Sequence, residues 1–349
     1  MFALLRFVKD PWMVLAISLP LTLSVIILRS IAPFVFPNYF VFIVIGIMIF
    51  FLASSVDFEV FEAFAPHLYL FGVLLLIVTL IIGQVTRGTI RWIPVGSFTI
   101  QPAEIVRPFL VLYAARFLSS KELDRARVLK AAVVLLLPLV LIVVQPSLGI
   151  TVLTLIGFSG VGLSLPFNKK YLLLLAVGFV SILPVFWQVM QPYQKDRITS
   201  FLSAEADSSG AGYNSIQSTI SVGSGQLTGR GLGEGVQTQL LFLPERHTDF
   251  VFAAISEELG LMGAVLTIVV LFTVLFRVLK ALDMPRTFTA RAFISGVFLT
   301  IFAQVMVHIG MNMGLFPITG IPLPFLSAGG SSLLGMMLML GMVVSAKKT

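Results

Sequence analysis

The chain has 349 residues, of which 58% are hydrophobic and 11% charged, and its mean hydropathy of +1.03 excludes a water-soluble domain. The absence of cysteine excludes disulfides and thiolate chemistry, and with only three histidines it argues against a classical zinc site. A net charge of +7 would suit nucleic acid in a soluble protein. In a membrane protein it reflects Lys- and Arg-rich loops, so we expect no nucleic-acid partner.

Long apolar runs recur along the whole chain. A helix needs about 20 apolar residues to cross a bilayer, so these runs predict an all-α polytopic membrane protein. We expect about ten transmembrane helices, at approximately 12–32, 38–56, 66–84, 103–119, 128–145, 148–166, 170–190, 250–277, 290–311 and 327–346.

The basic residues indicate how these helices are oriented. Because Lys and Arg concentrate in cytoplasmic loops, the pattern predicts that both termini are cytoplasmic. It also places the polar stretches 85–102 and 191–249 on the external face. The residues on the predicted cytoplasmic side are Arg6, Lys9, Lys121, Arg125, Arg127, Lys130, Lys169, Lys170, Arg277, Lys280, Arg286, Arg291, Lys347 and Lys348.

Residues 87–110 are rich in polar side chains and contain Arg91, Trp92, Gln101, Glu104 and Arg107. Glu104 and Arg107 are three residues apart, so they share a helix face and can form an ion pair. The alternative is that Arg107 contacts a phosphate, which its planar guanidinium suits. Trp92 could be an ordinary aromatic residue of the membrane interface or could support a sugar or lipid.

Residues 191–249 form the one long polar loop, between the seventh and eighth predicted helices. A loop of that length in a compact protein is usually functional or disordered, and its apolar content argues against disorder. Arg197 lies on an amphipathic segment that either binds phosphate or is an interfacial structural helix, and Gln217 and Ser218 follow it. The glycines around Arg230 predict turns with backbone close to a ligand or to the membrane surface.

The stretch Phe242–Gly260 carries an unusual density of charge for so apolar a chain. Its first half contains Glu245, Arg246, His247, Thr248 and Asp249, and its second half lies in the eighth predicted helix. Acidic residues where a polar loop enters a membrane helix are costly to place and are therefore candidates for function. The alternative is interfacial charge that only marks the end of the helix.

Asp249 should lie at the external rim of that helix. One interpretation is a helix N-terminal charge favoured by the dipole, with Thr248 or Thr238 as a local cap. The other is a carboxylate beside Arg246 and His247 that accepts a proton from a bound hydroxyl. Glu257 and Glu258 lie deeper, and for both a structural ion pair is favoured over catalysis.

Three prolines interrupt residues 311–332, so no regular helix can run through that stretch. Gly329, Gly330 and Ser331 then open the last helix. Irregular backbone at membrane depth is tolerated where it is buried or lines a cavity. The helix amides near Gly330 could bind an anion, or the stretch could be a re-entrant turn that only packs.

Nine motifs follow one another along the chain: RWI (91–93), QPAE (101–104), QPSLG (145–149), YQKDRI (193–198), GAGYNSIQS (210–218), GSGQLTGRGLG (223–233), FLPERHTDFVFA (242–253), EELG (257–260) and TGIPLPFLSAGGSS (319–332). Together they resemble the SEDS family, the shape, elongation, division and sporulation proteins, and PERHTDF with GAGY resembles its RodA branch. Departures from the family pattern are Ser147 for Asp, Ala103 for Ser, Arg107 for Lys and Ala328 for Tyr.

The resemblance implies a single membrane domain over 1–349 with ten helices, located in the bacterial cytoplasmic membrane. It implies a peptidoglycan glycosyltransferase that polymerises lipid II and works with a class B penicillin-binding protein and the elongation machinery, among membrane lipids. It also implies that Asp249 is the catalytic residue.

On this hypothesis Asp249 is the general base for the acceptor hydroxyl, and cations offset the charge of the departing diphosphate. Arg107, Arg197, Arg230 and Arg246 are the candidate cations, and a divalent cation such as Mg or Mn could assist. Two alternatives are a flippase for lipid-linked precursors and a non-catalytic scaffold. The flippase predicts charges along a path to the cytoplasmic side, whereas the polar residues concentrate on the outer half.

Overall fold

The computed structural model describes residues 9–86, 89–96, 98–121, 125–166, 170, 187–188, 190, 192–202 and 211–347. Helices make up nearly all of the regular structure there, which confirms the all-α class. The elements are α1 Pro11–Ile31, α2 Phe36–Ser55, α3 Phe58–Ile82, β1 Gln84–Thr86, β2 Thr89–Val95, β3 Phe98–Ile100, α4 Pro102–Ser119, α5 Arg125–Val144, α6 Leu148–Ser164, α7 Pro192–Leu202, α8 Ala211–Ser224, α9 Val236–Gln239, α10 Val251–Ala281, α11 Phe288–Asn312 and α12 Gly330–Ala346.

The predicted membrane segments coincide with these helices, except that the seventh, 170–190, lies almost wholly outside the described residues. Helices α1, α2, α3, α10 and α11 are long and apolar enough to cross a membrane. Shorter apolar helices occupy parts of α5, α6 and α12. The chain is therefore a multi-pass membrane protein.

A small antiparallel sheet, which the sequence analysis did not predict, lies between α3 and α4. Its strand order is β1-β2-β3, with Gln84 opposite Trp92 and Ile93 opposite Ile100. The strands are short, and the middle one is rich in β-branched and aromatic residues, which favour strands. The sheet holds Arg91 and Trp92 on β2.

Asp10 ties three helices together at one end of the bundle. Its carboxylate accepts hydrogen bonds from Arg277 at 3.0 Å and Lys347 at 2.5 Å, and from the backbone N–H of Met13 at 3.1 Å. The start of α1 and the ends of α10 and α12 therefore meet on the same face. This places both ends of the described chain together, as the basic-residue pattern predicts.

At the other end, the Gly-rich loop after α8 is seated against a break in α10. Gly260 has φ of 65° and ψ of −159°, so the helical hydrogen-bond ladder is interrupted there. The N–H of Leu261 donates to the Gln226 carbonyl at 2.8 Å, and the Arg230 N–H donates to the Glu257 carbonyl at 3.0 Å. The close approach that the glycines predict is thus to α10, while a ligand or membrane surface beside this loop stays a prediction.

We predict that Gly260→Ala lowers the stability of the fold by about 1–3 kcal/mol, through strain at positive φ and overpacking. A Cβ on Gly260 would lie 2.3 Å from the Gly229 nitrogen and 2.7 Å from Leu227. The measurement is thermal unfolding in detergent. Gly223→Ala is the matched control, because nothing lies within 4 Å of its Cβ position and alanine favours the helix. Equal unfolding temperatures for both variants would contradict the tight seating of the loop.

A second prediction concerns acid stability. Burial alone would raise the pKa of Asp10, but hydrogen bonds from Lys347 and Met13 and the charges of Lys347 and Arg277 outweigh it, so the pKa is lowered. Stability from a lowered pKa is present at neutral pH and is lost as pH falls through that value. Asp10→Asn should therefore have a lower unfolding temperature than wild type at neutral pH. The difference between the two unfolding temperatures should disappear in acid. The control is Asp57→Asn, because Asp57 is exposed, and its unfolding temperature should equal that of wild type. A difference between Asp10→Asn and wild type that stays constant with pH would refute the prediction.

Candidate functional site at the start of helix α10

A tight turn places Asp249 immediately before α10. The carbonyl of Glu245 accepts hydrogen bonds from the N–H groups of Thr248 and Asp249 at 3.0 Å and of Phe250 at 3.2 Å. Glu245 has a positive φ of 48°, a conformation that side chains rarely adopt. The hydroxyl of Thr248 donates to the Glu245 carboxylate at 3.1 Å. The half-buried Asp249 is thus held immediately before the first residue of α10.

The capping residue of α10 is neither of the threonines that the sequence suggested. Thr248 bonds within the turn, and the hydroxyl of Thr238 donates to Gly235. Phe250 occupies the cap position and provides no capping side chain. The cap comes from Asn312 at the end of α11, whose Oδ1 accepts the Ala253 N–H at 3.0 Å.

The irregular segment 313–329 forms one wall of this region. Donors from the spanning helices satisfy its buried carbonyls, which lets broken backbone lie at membrane depth. His308 donates to Ile321 at 2.7 Å, and Gln304 donates to Pro322 at 2.9 Å. Tyr39 donates to the Phe325 carbonyl at 2.7 Å.

This segment also holds the Asp249 turn. The Ser327 hydroxyl donates to the Thr248 carbonyl at 2.6 Å, and the Ala328 N–H donates to the His247 carbonyl at 2.8 Å. The sequence left open whether the segment packs or lines a cavity. The segment packs against the surrounding helices, Pro317 and Ile318 also line a small pocket, and Gly320 adjoins the Asp249 carboxylate.

Arg197 and Asp249 come together at Gly320. The position of a Cβ on Gly320 lies 3.5 Å from Arg197 Nη1 and 3.6 Å from Asp249 Oδ2. Arg197 comes from α7, and its Nη1 also donates to the Ile318 carbonyl at 3.3 Å. The side-chain space of one glycine therefore borders both a carboxylate and a guanidinium.

A small pocket opens beside this pair. It is lined by Arg197 together with Ser200, Phe201, Ser215, Pro317 and Ile318. Arg197 thus borders both the pocket and the space beside Asp249.

Arg246 and His247 are oriented by the loop after α1. Arg246 Nε donates to the Ile31 carbonyl at 2.8 Å, and the His247 ring meets Phe34 edge-on at 5.6 Å. Burial lowers the pKa of Arg246, and the Glu245 carboxylate partly offsets that effect. Arg246 and His247 thus attach the Asp249 turn to the end of α1 and the residues after it, and their predicted role beside Asp249 stays a prediction.

Three further predicted site residues lie on or after α8: Gln217 and Ser218 on the helix, and Arg230 in the loop that follows. Arg230 is exposed, and its N–H is bonded to Glu257, about 12 Å along α10 from Asp249. Ser218 is buried and donates to the Asn312 carbonyl at 2.9 Å, while Gln217 is half-buried on the same helix.

A second group of predicted residues joins α4 to the start of α12. Glu104 and Arg107 form an ion pair, and each is no more than 2% exposed. Arg107 Nε and Nη1 have no hydrogen-bond partner among the described residues. The Gln101 N–H donates to the Ser331 hydroxyl at 2.8 Å. The ion pair that the spacing predicts is present, and two nitrogens of the buried guanidinium remain as donors for a phosphate.

The glycines before α12 serve close packing. A Cβ on Gly330 would lie 2.5 Å from the Phe42 ring, and one on Gly329 would lie 3.4 Å from Pro322. Arg91 and Trp92 are half-buried on β2, in the sheet that precedes α4. Gly330 therefore packs against α2 and Gly329 against the irregular segment, while the strand that carries Arg91 and Trp92 contacts α3 and α4.

Glu257 and Glu258 are structural, as predicted, but the described partners are mainly backbone amides rather than cations. Glu257 accepts the N–H groups of Gln237 at 2.7 Å and Thr238 at 3.0 Å, at the start of α9. Glu258 accepts the Gly233 N–H at 3.0 Å and the Ser30 hydroxyl at 2.7 Å. A carboxylate can be buried when such donors satisfy it.

The sequence analysis did not single out Asn312 and Gly320. A signal for Asn312 was present, because a polar amide inside a spanning segment needs partners. Gly320 lies in a glycine- and proline-rich stretch, and its side-chain space is visible only once the chain is folded.

Comparison with known proteins identifies the family. Residues 3–349 match the FtsW, RodA and SpoVE family model, described as cell cycle protein. The chain belongs to the SEDS family. The peptidoglycan glycosyltransferase MrdB of Escherichia coli is 36% identical over 310 residues, covering 87% of this chain and 83% of the relative. The stage V sporulation protein E of Bacillus subtilis is 35% identical over 321 residues, covering 87% and 84%.

Solved structures share the fold of this SEDS protein. One is from a study of polymerization and crosslinking by a peptidoglycan synthase complex, with a TM-score of 0.83 and 26% identity, covering 97% of both chains. The RodA crystal structure from Thermus thermophilus has a TM-score of 0.74 and 25% identity, covering 97% of this chain and 96% of that one.

We predict that Glu257→Gln destabilises the fold by about 1–3 kcal/mol, because the new amide N–H₂ would oppose one of the two backbone donors. Thermal unfolding in detergent measures this loss. Glu234→Gln, an exposed acid of the same loop, is the control and should unfold like wild type. A Glu257→Gln protein that unfolds like wild type would show that the carboxylate does not secure the loop.

Proposed function

We propose that Asp249 is the general base of this enzyme and that Arg197 stabilises its leaving group. Membership of the SEDS family and the shared name of its relatives make the chain a peptidoglycan glycosyltransferase. The observation that carries the catalytic proposal is the meeting of Asp249 Oδ2 and Arg197 Nη1 at the side-chain space of Gly320.

The two side chains suit the two ends of a glycosyl transfer. The acceptor hydroxyl oxygen bonds to the anomeric carbon of the donor while the bond from that carbon to the diphosphate oxygen breaks. Asp249 takes the hydroxyl proton, and the guanidinium of Arg197 offsets the negative charge that develops on the diphosphate. Attack from the side opposite the leaving group inverts the anomeric carbon.

The substrate we propose is lipid II, a lipid-linked disaccharide diphosphate. The site lies at the start of α10, where a polyprenyl chain can stay in the bilayer while the sugar reaches the polar loop. Among the four candidate cations, Arg197 is the one that borders the space beside Asp249. Arg107 is committed to Glu104, and Arg246 to the Ile31 carbonyl.

A divalent cation, Mg or Mn, stays a prediction. Among the residues that the structure describes, no three metal-ligating side chains lie together. Such an ion would take Asp249 as one ligand and most others from the substrate diphosphate. No step of the proposed mechanism depends on it.

We place the enzyme in the bacterial cytoplasmic membrane, with both termini cytoplasmic and the site external. The charged cluster of Asp10, Arg277 and Lys347 lies at the end opposite Asp249, which supports this orientation. The partner we propose is a class B penicillin-binding protein of the elongation machinery. The structural neighbour from a peptidoglycan synthase complex supports a crosslinking partner.

The described charges do not favour the flippase alternative. That function would need ionisable groups available along a path across the membrane. Glu104 and Arg107 are paired with each other, and Glu257 and Glu258 bind donors of the loop and of α1. These groups hold elements together instead of lining a path.

The test is polymerisation of purified lipid II by the chain with its penicillin-binding partner. We expect Asp249→Asn and Asp249→Ala to lower kcat by about 10²–10⁴, because no base remains for the hydroxyl proton. Arg197→Ala should lower kcat by about 10²–10³, because a stabilising charge is lost. Asp283→Asn, an exposed acid at the other end of α10, should keep the wild-type rate.

Thermal unfolding of each variant in detergent separates catalytic loss from misfolding. Wild-type polymerisation by both Asp249 variants would refute the base. Loss of rate in step with loss of folded protein would also refute it, because the carboxylate would then be structural.

A further inference from the structure

Asn312, the last residue of α11, is fully buried. An amide side chain carries donors and an acceptor, and burying them costs free energy unless each finds a partner. Its partners therefore show what the residue holds in place.

Both ends of the Asn312 amide point at the start of α10. Its Nδ2 donates to the Asp249 carbonyl at 3.0 Å and to the His308 carbonyl at 2.8 Å. Its Oδ1 accepts the Ala253 N–H at 3.0 Å. Asn312 thus caps α10 from a neighbouring helix and holds the backbone of Asp249 with the same side chain.

The backbone on both sides of the Asp249 Cα is consequently fixed. The Asp249 N–H is bonded to the Glu245 carbonyl at 3.0 Å, and its own carbonyl is bonded to Asn312. With both flanking peptide groups held, few directions remain for the carboxylate. Preorganisation of this kind matters because a misplacement of about 1 Å can cost about 10² in rate.

Asn312 also connects the carboxylate to the wall opposite it. The chain leaves α11 at Asn312 and reaches Ile318 and Gly320 a few residues later, where Arg197 is bound. One side chain therefore sets the register between the Asp249 turn and the segment that carries the Arg197 contact.

We infer that Asn312 is a positioning residue of the glycosyl-transfer site, acting on catalysis through the backbone of Asp249. The inference rests on the proposed role of Asp249. It goes further by naming the group that aims the base, and this group does not touch the substrate.

The test is steady-state lipid II polymerisation by Asn312→Ala in complex with the penicillin-binding partner. We expect kcat to fall by about 10–100-fold while KM stays within about threefold, since the loss is in positioning rather than in binding. Ser295→Ala is the matched control. Ser295 lies on the same helix and donates to the Gly160 carbonyl at 2.8 Å, about 25 Å from Asn312 along α11. The control should keep the wild-type kcat.

Asn312→Leu keeps nearly the volume of the side chain, so it leaves no cavity at this buried position where Asn312→Ala would. Leucine has no N–H for the Asp249 carbonyl and no oxygen for the Ala253 N–H, so kcat should fall as in Asn312→Ala. Wild-type kcat in Asn312→Leu would overturn the inference, because filling the space alone would then suffice. A fall in kcat that is matched by the loss of folded protein in thermal unfolding would overturn it as well.

The Asp249→Asn enzyme separates the two proposals. In that background, Asn312→Ala should lower the residual rate by less than about twofold, because the base it positions is already absent. A further large loss would show a general structural role and overturn the inference. If Asp249→Asn polymerises at the wild-type rate, the base itself is wrong. If Asp249→Asn is inactive and both Asn312 variants are active, only the positioning role fails.

Discussion

The satisfaction of broken backbone at membrane depth is the constraint on which the rest of the structure depends. Between α11 and α12 the prolines prevent a helix, so carbonyls that would normally bond along the helix need other donors. His308, Gln304 and Tyr39 supply them from neighbouring helices. Because each donor lies on a helix, the neighbouring helices hold the irregular segment in place at three of its carbonyls.

The same exchange of hydrogen bonds builds the site. The segment holds the Asp249 turn through Ser327 and Ala328, and Asn312 holds it from the end of α11. The Gly260 break in α10 is filled in a corresponding way by carbonyls of the loop after α8. Backbone groups that cannot bond within a helix, at Gly260 and between α11 and α12, are thus bonded by partners distant in sequence. The second of these stretches contains Gly320, where Asp249 and Arg197 meet.

Much of this was predictable from the sequence. The apolar runs predicted the helices, because spanning length is a strong signal, and the charge density of Phe242–Gly260 predicted the location of Asp249. Burial decided the roles that the sequence left open. Glu104 and Arg107 share a face by their spacing, but only the fold shows that neither is exposed. The amide partners of Glu257 come from about 20 residues earlier in the chain, and no local pattern reports them.

The proximity of Asp249 to Arg197 could not be predicted because it depends on a third segment. Arg197 lies on α7 and Asp249 before α10, and Gly320 supplies the space that both border. The capping of α10 by Asn312 could not be predicted either, because capping signals are local in sequence and this capping residue lies on a different helix.

The most direct measurement of the central claim is a structure of the Asp249→Asn enzyme with lipid II bound. The account predicts the diphosphate at the Arg197 guanidinium and the acceptor sugar hydroxyl within about 3 Å of the residue 249 side chain, near the space beside Gly320. A diphosphate bound away from Arg197, with no sugar hydroxyl in hydrogen-bond reach of residue 249, would contradict it.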